Sequence, residues 1–87
     1  MRKIMLLTTT EKLEGYKILE YLGIVVGYGD DPEEALDDLE ELALELGANA
    51  VIGIRIHNEP IVETGEDIVN NNYYAYGTAV KVEKVKE

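Results

Sequence analysis

The chain holds one histidine, His57, and two residues later comes Glu59. An imidazole beside a carboxylate suits a borderline divalent cation such as zinc, nickel or manganese. Residues two apart on an extended strand share a face. His57 and Glu59 are therefore the candidate metal ligands, with Glu63, Glu66 and Asp67 as looser oxygen donors further along. Soft ions are a different matter. There is no cysteine, and the two methionines, Met1 and Met5, form no thioether cluster, so the thiolates preferred by mercury, cadmium or copper(I) are missing.

Other chemistry finds less support. A Ser-His-Asp set cannot be built without serine, and Thr8, Thr9 and Thr10 have no evident base partner. Glu14 and Glu20 are the only suggestion of paired carboxylates. The stretch "ETGED" lacks the alternating ligands and closing glutamate of a calcium loop. "GYGDDPEE" has no following lysine and ends in acids that repel phosphate. No catalytic residue and no certain cofactor follow. The six aromatic residues are all tyrosine, suited to sheet packing and interfaces with the hydroxyl at the wet edge.

The elements that would position these groups are legible. Ile4 to Thr8 reads as a short strand, and the threonines through Gly15 as a loop. "YKILEYLGIVVGYG" is a long strand closed by Gly27 and Gly29. "DDPEEALDDLEELALELG" is the clearest helix: Asp30 or Asp31 caps it, Pro32 suits the first position and Gly47 stops it. At about 100° per residue, Ala35, Leu36, Leu39, Leu42, Ala43 and Leu46 form one stripe. Leu44 projects opposite, among acids, and is a candidate interface residue. "NAVIGIRIH" alternates, with Ala50, Ile52, Ile54 and Ile56 on one face and Val51, Gly53, Arg55 and His57 on the other. A loop or irregular hairpin tip over 58–72 precedes the last strand, whose Tyr74, Tyr76, Thr78, Val80 and Val82 face one way. Each long strand has an interior glycine, Gly23, Gly53 and Gly77. These imply bulges or close backbone approach, and they offer a track for a packed helix or another subunit.

The order is β-β-α-β-β, an α+β fold with a mainly antiparallel sheet packed by one amphipathic helix, in a single domain over residues 1–87. A chain this short buries a thin core. With disulfides excluded, oligomerisation is the expected reinforcement. The net charge of −10 is concentrated between Asp30 and Glu45, which argues against a nucleic-acid partner. No apolar run reaches signal-peptide or transmembrane length, so the expectation is a cytoplasmic protein without a membrane partner.

"TTTEKLEGYKILEYLGIVVG", with Thr8 and Thr9, Leu13-Glu14-Gly15 and the strand to Gly27, resembles the opening of the YbjQ-like proteins. "ALELGANAVIGIRI" is similar to that family's helix end and third strand, and "YGTAVKV" to its finish. The matches cover about two-thirds of the chain in the expected order. The resemblance implies a dodecin-like α+β subunit assembled as a homopentameric ring, in a group that carries a heavy-metal-binding label but no known catalytic residues. Longer members carry an insertion between the second strand and the helix, where this chain has only "GYGDD". The expected function is a ring holding a small ligand or a divalent metal ion at subunit junctions, with Leu44, Gly23, Gly53 and Gly77 as interface candidates. Two rivals stand beside it: a structural or interaction module using the acidic helix surface, and an enzyme with a site shared between subunits.

Overall fold

The computed structural model describes residues 5–62 and 69–85, with side chains for 5–59 and 72–85. It contains β1 (Leu6–Leu7), β2 (Tyr16–Gly29), α1 (Pro32–Glu45), β3 (Ala50–Val62) and β4 (Val69–Lys84). The strands form one sheet in the order β1-β3-β4-β2. β1 runs parallel to β3, and the β3–β4 and β4–β2 pairs are antiparallel.

Local signals set the helix ends. The Asp31 carboxylate accepts the Glu34 N–H at 2.9 Å, and the Glu34 carboxylate in turn accepts the Asp30 N–H at 2.9 Å. Two amides at the helix start are thus satisfied where the dipole favours negative charge. At the other end Gly47, at φ +87°, reverses the chain. Its N–H reaches the Leu44 carbonyl and the Ala48 N–H reaches that of Ala43, both at 3.0 Å; this crossed pair is the Schellman arrangement. Ala35, Leu39 and Ala43 are fully buried. Leu46, expected on that stripe, is instead 47% exposed; it is the C-cap, one residue past the end of α1.

The helix packs close to β2. A methyl group at Gly27 would collide with the Leu39 amide nitrogen and the Ala35 carbonyl oxygen, and one at Gly29 with Glu34 and the Ala35 amide. These glycines admit the helix backbone rather than merely closing the strand. Ala75 and Ala79 on β4 complete the same small-residue surface, together with Val25, Val51 and Ile54. The opposite face has its own smaller cluster of Ala50, Ile52, Val80 and Val82, packed by Leu13, Tyr16 and Ile18.

Alternation along β3 fails at one point. Ile52 pairs with Thr78 and Arg55 with Tyr76, so Gly53 and Ile54 together oppose Gly77. Gly53 adopts φ +63°, which makes this a bulge built on a left-handed glycine. The extra residue reverses the parity of everything after it. Val51 and Ile54 share the helix side, while Arg55, His57 and Glu59 move to the side of Ala50 and Ile52. The expected single row Ala50, Ile52, Ile54 and Ile56 is therefore two half-rows on opposite faces.

Candidate functional site

Three surfaces carry candidate chemistry: the sheet face away from the helix, the outer edges of the sheet, and the solvent face of α1. The two sheet features depend on the bulge.

On the face away from the helix, Ile24, Val26 and Tyr28 of β2 lie opposite Thr78, Tyr76 and Tyr74 of β4. Ile24 is 77% and Tyr21 67% exposed. Tyr28 and Tyr74 stack with ring centroids 5.9 Å apart. His57 lies across from Tyr74 and Glu59 across from Asn72, both exposed. The two expected metal ligands therefore do share a face. Glu63, Glu66 and Asp67 fall outside the described residues, and among the described residues no group of three or more His, Cys, Asp or Glu side chains converges. Met5 is buried in the helix-side core, so its thioether is not available to a surface ion.

The threonine run is a folded turn rather than a nucleophile array. Thr8 and Thr10 share a hydroxyl–hydroxyl bond of 2.8 Å, and the Thr10 hydroxyl donates to the Lys12 carbonyl. The turn is fastened to the bulge: the Gly53 N–H donates to Thr10 at 2.7 Å and the Ile54 N–H to Thr8 at 3.0 Å. Arg55 adds a bond from Nη1 to the Thr9 carbonyl at 2.7 Å. Clefts open on both sides of this turn, one over Leu13, Tyr16 and Val82 with a volume of about 720 Å³, the other over Gly53 and Arg55 with about 530 Å³. Sequence reasoning passed over Lys12 and Arg55. The available signal was the arginine two residues after a glycine in mid-strand. Glu14 and Glu20 do not form a pair: Glu14 lies in the turn before β2 and Glu20 faces Lys81 across the ladder.

The sheet edges follow from the same ladder. The Ile54 N–H points outward to the turn, so by period 2 Ile56, Asn58 and Pro60 also turn their backbone groups outward. Beyond the turn, β1 no longer covers them. Pro60 has no N–H to lose, and an outward position on an edge is where a strand tolerates it. On the other margin the Tyr28 N–H is taken by Asp38 of α1 at 3.0 Å, which marks Val26 and Ile24 as outward-facing too. Leu7, Leu36, Ile54 and Ile56 line an apolar notch of about 460 Å³ beside the β3 edge.

Of the interface candidates, Leu44 is 40% exposed on α1. Gly23, at φ +136°, sits at a bulge in β2, and both it and Gly53 have open space beside Cα. Gly77 makes room for the Val51 and Ile54 side chains. The helix track is formed by other glycines, Gly27 and Gly29. Among the described residues the acids of α1 form no ion pair; the one found is Lys17–Glu83, at 3.9 Å.

Residues 30–83, from the helix cap through β4, match a family model described as "Putative heavy-metal-binding". The chain belongs to the YbjQ-like family. It is 56% identical to a UPF0145 protein of Methanocaldococcus jannaschii over 86 residues, covering 94% of this chain and 97% of that one. A UPF0145 protein of Thermotoga petrophila is 34% identical, with 93% and 100% covered. That alignment runs over 111 positions against a chain of 87, so the Thermotoga relative carries residues that this YbjQ-like chain lacks. The fold matches a crystal structure from Pediococcus pentosaceus, titled as a protein of unknown function in the DUF74 family. The TM-score is 0.69 at 22% identity, covering 91% and 98% of the two chains. The family description speaks of heavy metals, yet the donors of this chain do not form a soft-metal site: it has no thiolate and a single imidazole.

Proposed function

We propose that this YbjQ-like chain is the subunit of a homo-oligomeric ring, a pentamer as the family resemblance implies, that holds a small ligand or ion where subunits meet. The observation that carries the reading is the pair of free edges at opposite margins of one sheet. Ile24 and Val26 of β2 and Ile56 and Asn58 of β3 present outward backbone groups, and unpaired edges are templates for another strand. Joining the β2 edge of one copy to the β3 edge of the next is a head-to-tail contact, which closes into a ring when the rotation per subunit allows. The apolar notch beside the β3 edge supplies area to bury at that junction. A small domain with a thin core gains stability from such burial.

Any ion held there is of the borderline kind that His57 and Glu59 could bind once symmetry repeats them. The same reading takes the protein as cytoplasmic, without nucleic-acid or membrane partners; among the described residues no helix is long and apolar enough to cross a membrane. One observation favours the interaction-module reading as an alternative: Leu44 is 40% exposed on a helix whose acids form no ion pair among the described residues. For an enzyme with a shared site, the described residues offer no nucleophile paired with a base.

Native mass spectrometry tests the ring. A single closed oligomer, expected at five subunits, supports it, and a clean monomer at micromolar concentration overturns it. Retained mass beyond the protein would report the ligand directly.

A further inference from the structure

The cleft of about 530 Å³ on the open face sets cationic side chains over an apolar floor. Its floor is apolar, from Ile18 of β2 and Ile52 of β3, and two hydroxyls border it, Tyr21 and Thr78. Lys12 and Arg55 both line it, as does one acid, Glu11, the chain neighbour of Lys12. Two cations against one carboxylate make this a locally positive site in a chain of net charge −10.

Three features indicate a built site. The bulge at Gly53 re-aims a side chain, as bulges beside functional sites do: without it, parity would carry Arg55 to the helix side. Gly53 itself leaves open space over the floor, with nothing within 4 Å of where a Cβ would stand. Arg55 is also held in place. Its Nη1 donates to the Thr9 carbonyl at 2.7 Å and the Ile54 carbonyl at 2.9 Å; among the described residues Nε and Nη2 have no bonded partner, and the side chain borders both this cleft and the notch beside the β3 edge. The volume falls within the range of small-molecule sites, about 300–1,000 Å³.

The acids of α1 do not cancel this charge. The helix packs on the opposite face of the sheet, and Asp38, the acid bonded to the sheet margin, is at Tyr28, seven residues or about 23 Å along β2 from Tyr21. At physiological ionic strength, screening extends only about 8 Å. The local pair therefore decides what enters.

We propose that this cleft binds a small carboxylate with an apolar or aromatic body, its anionic end on Arg55 and Lys12 and its body on Ile18 and Ile52 beside Tyr21. A monoanion suits a lining that also contains Glu11, whereas a phosphate dianion meets that carboxylate at greater cost and leaves the apolar floor uncovered. The cleft is lined within one chain, so the inference stands apart from the ring.

The test is an amide chemical-shift titration of the full chain with benzoate, benzyl alcohol and inorganic phosphate, the oligomeric state being measured on the same sample. Benzoate should give saturable shifts at the amides of Ile52, Gly53 and Thr78. Benzyl alcohol and phosphate should bind at least about tenfold more weakly, and Lys12→Gln and Arg55→Gln should each weaken benzoate about tenfold, the scale of one charged hydrogen bond. Arg55→Gln also removes an anchor of the threonine turn. Lys12→Gln, exposed and holding no other element in place, carries the test if the arginine variant does not fold. The proposal is overturned if benzoate produces no saturable shift at these amides. It fails equally if benzyl alcohol or phosphate binds as tightly, or if benzoate affinity survives Lys12→Gln.

Discussion

The two faces of the sheet are made by the same strands, yet they are built in opposite ways. On β2 the residues turned toward α1 are Val25, Gly27 and Gly29; those turned away are Ile24, Val26 and Tyr28. Where α1 approaches most closely, the covered face is made of glycine and alanine, Gly27, Gly29, Ala75 and Ala79, because the helix backbone rests directly on it. The open face carries the large apolar side chains, and Ile24, Val26 and Tyr28 are each more than half exposed. Single exposed apolar residues are ordinary, but a contiguous row is not. The comparison teaches that the monomer's core comes from close backbone approach. Much of its bulky apolar surface stays exposed on the other face.

Substitutions can break that contrast, and the largest effect belongs to the covered face. Gly27→Val places a branched side chain where the Leu39 and Ala35 backbones already sit, and should cost about 3 kcal/mol or more, read as a fall in the urea midpoint or loss of folded protein. Next is Leu39→Ala, which leaves a cavity under the fully buried centre of α1 and should cost about 3 kcal/mol. If either variant keeps wild-type stability, the helix does not dock as described.

A smaller loss is expected at the joint between helix and sheet. The Asn49 side chain brackets Val82, accepting its N–H at 2.8 Å and donating to its carbonyl at 2.9 Å. Asn49→Ala should cost about 1–2 kcal/mol, measured by the same denaturation. The smallest effect on the isolated fold falls on the open face: Ile24→Lys should change monomer stability by less than about 0.5 kcal/mol. If that face or its edge is buried between copies, wild-type melting will depend on protein concentration and the variant will shift toward smaller species. Unchanged assembly in Ile24→Lys would separate the open face from the ring contact.

Much of the fold was readable from residue types. The element order, a cap at Asp30 or Asp31, Pro32 at the first helical position and the stop at Gly47 were all legible, as was the alternation of β4; the structure settles the cap on Asp31. The candidate site was less so. His57 and Glu59 share a face as expected, but Lys12 and Arg55 were not foreseen as a pair. The interior glycine of β3 reads as a bulge or a close approach, but a single strand's pattern does not choose between them, and the reversal of faces after Gly53 depends on that choice. Gly27 and Gly29 read as the end of a strand, though their lack of side chains serves the helix that follows. Leu46 kept the helical count but stood one position past the last turn.

By itself, then, the sequence determined the pieces and their order, because caps, breakers and periodicity act within a few residues of one another. It also excluded disulfides and soft-metal thiolate chemistry by the absence of cysteine. The tertiary structure alone decided which face each half of β3 presents and where α1 rests. A bulge exists only in the register between two strands, here Gly53 against Gly77, and a close approach exists only between two docked backbones. The placement of Arg55 on the open face, where it lines one cleft with Lys12, is a consequence of that pairing.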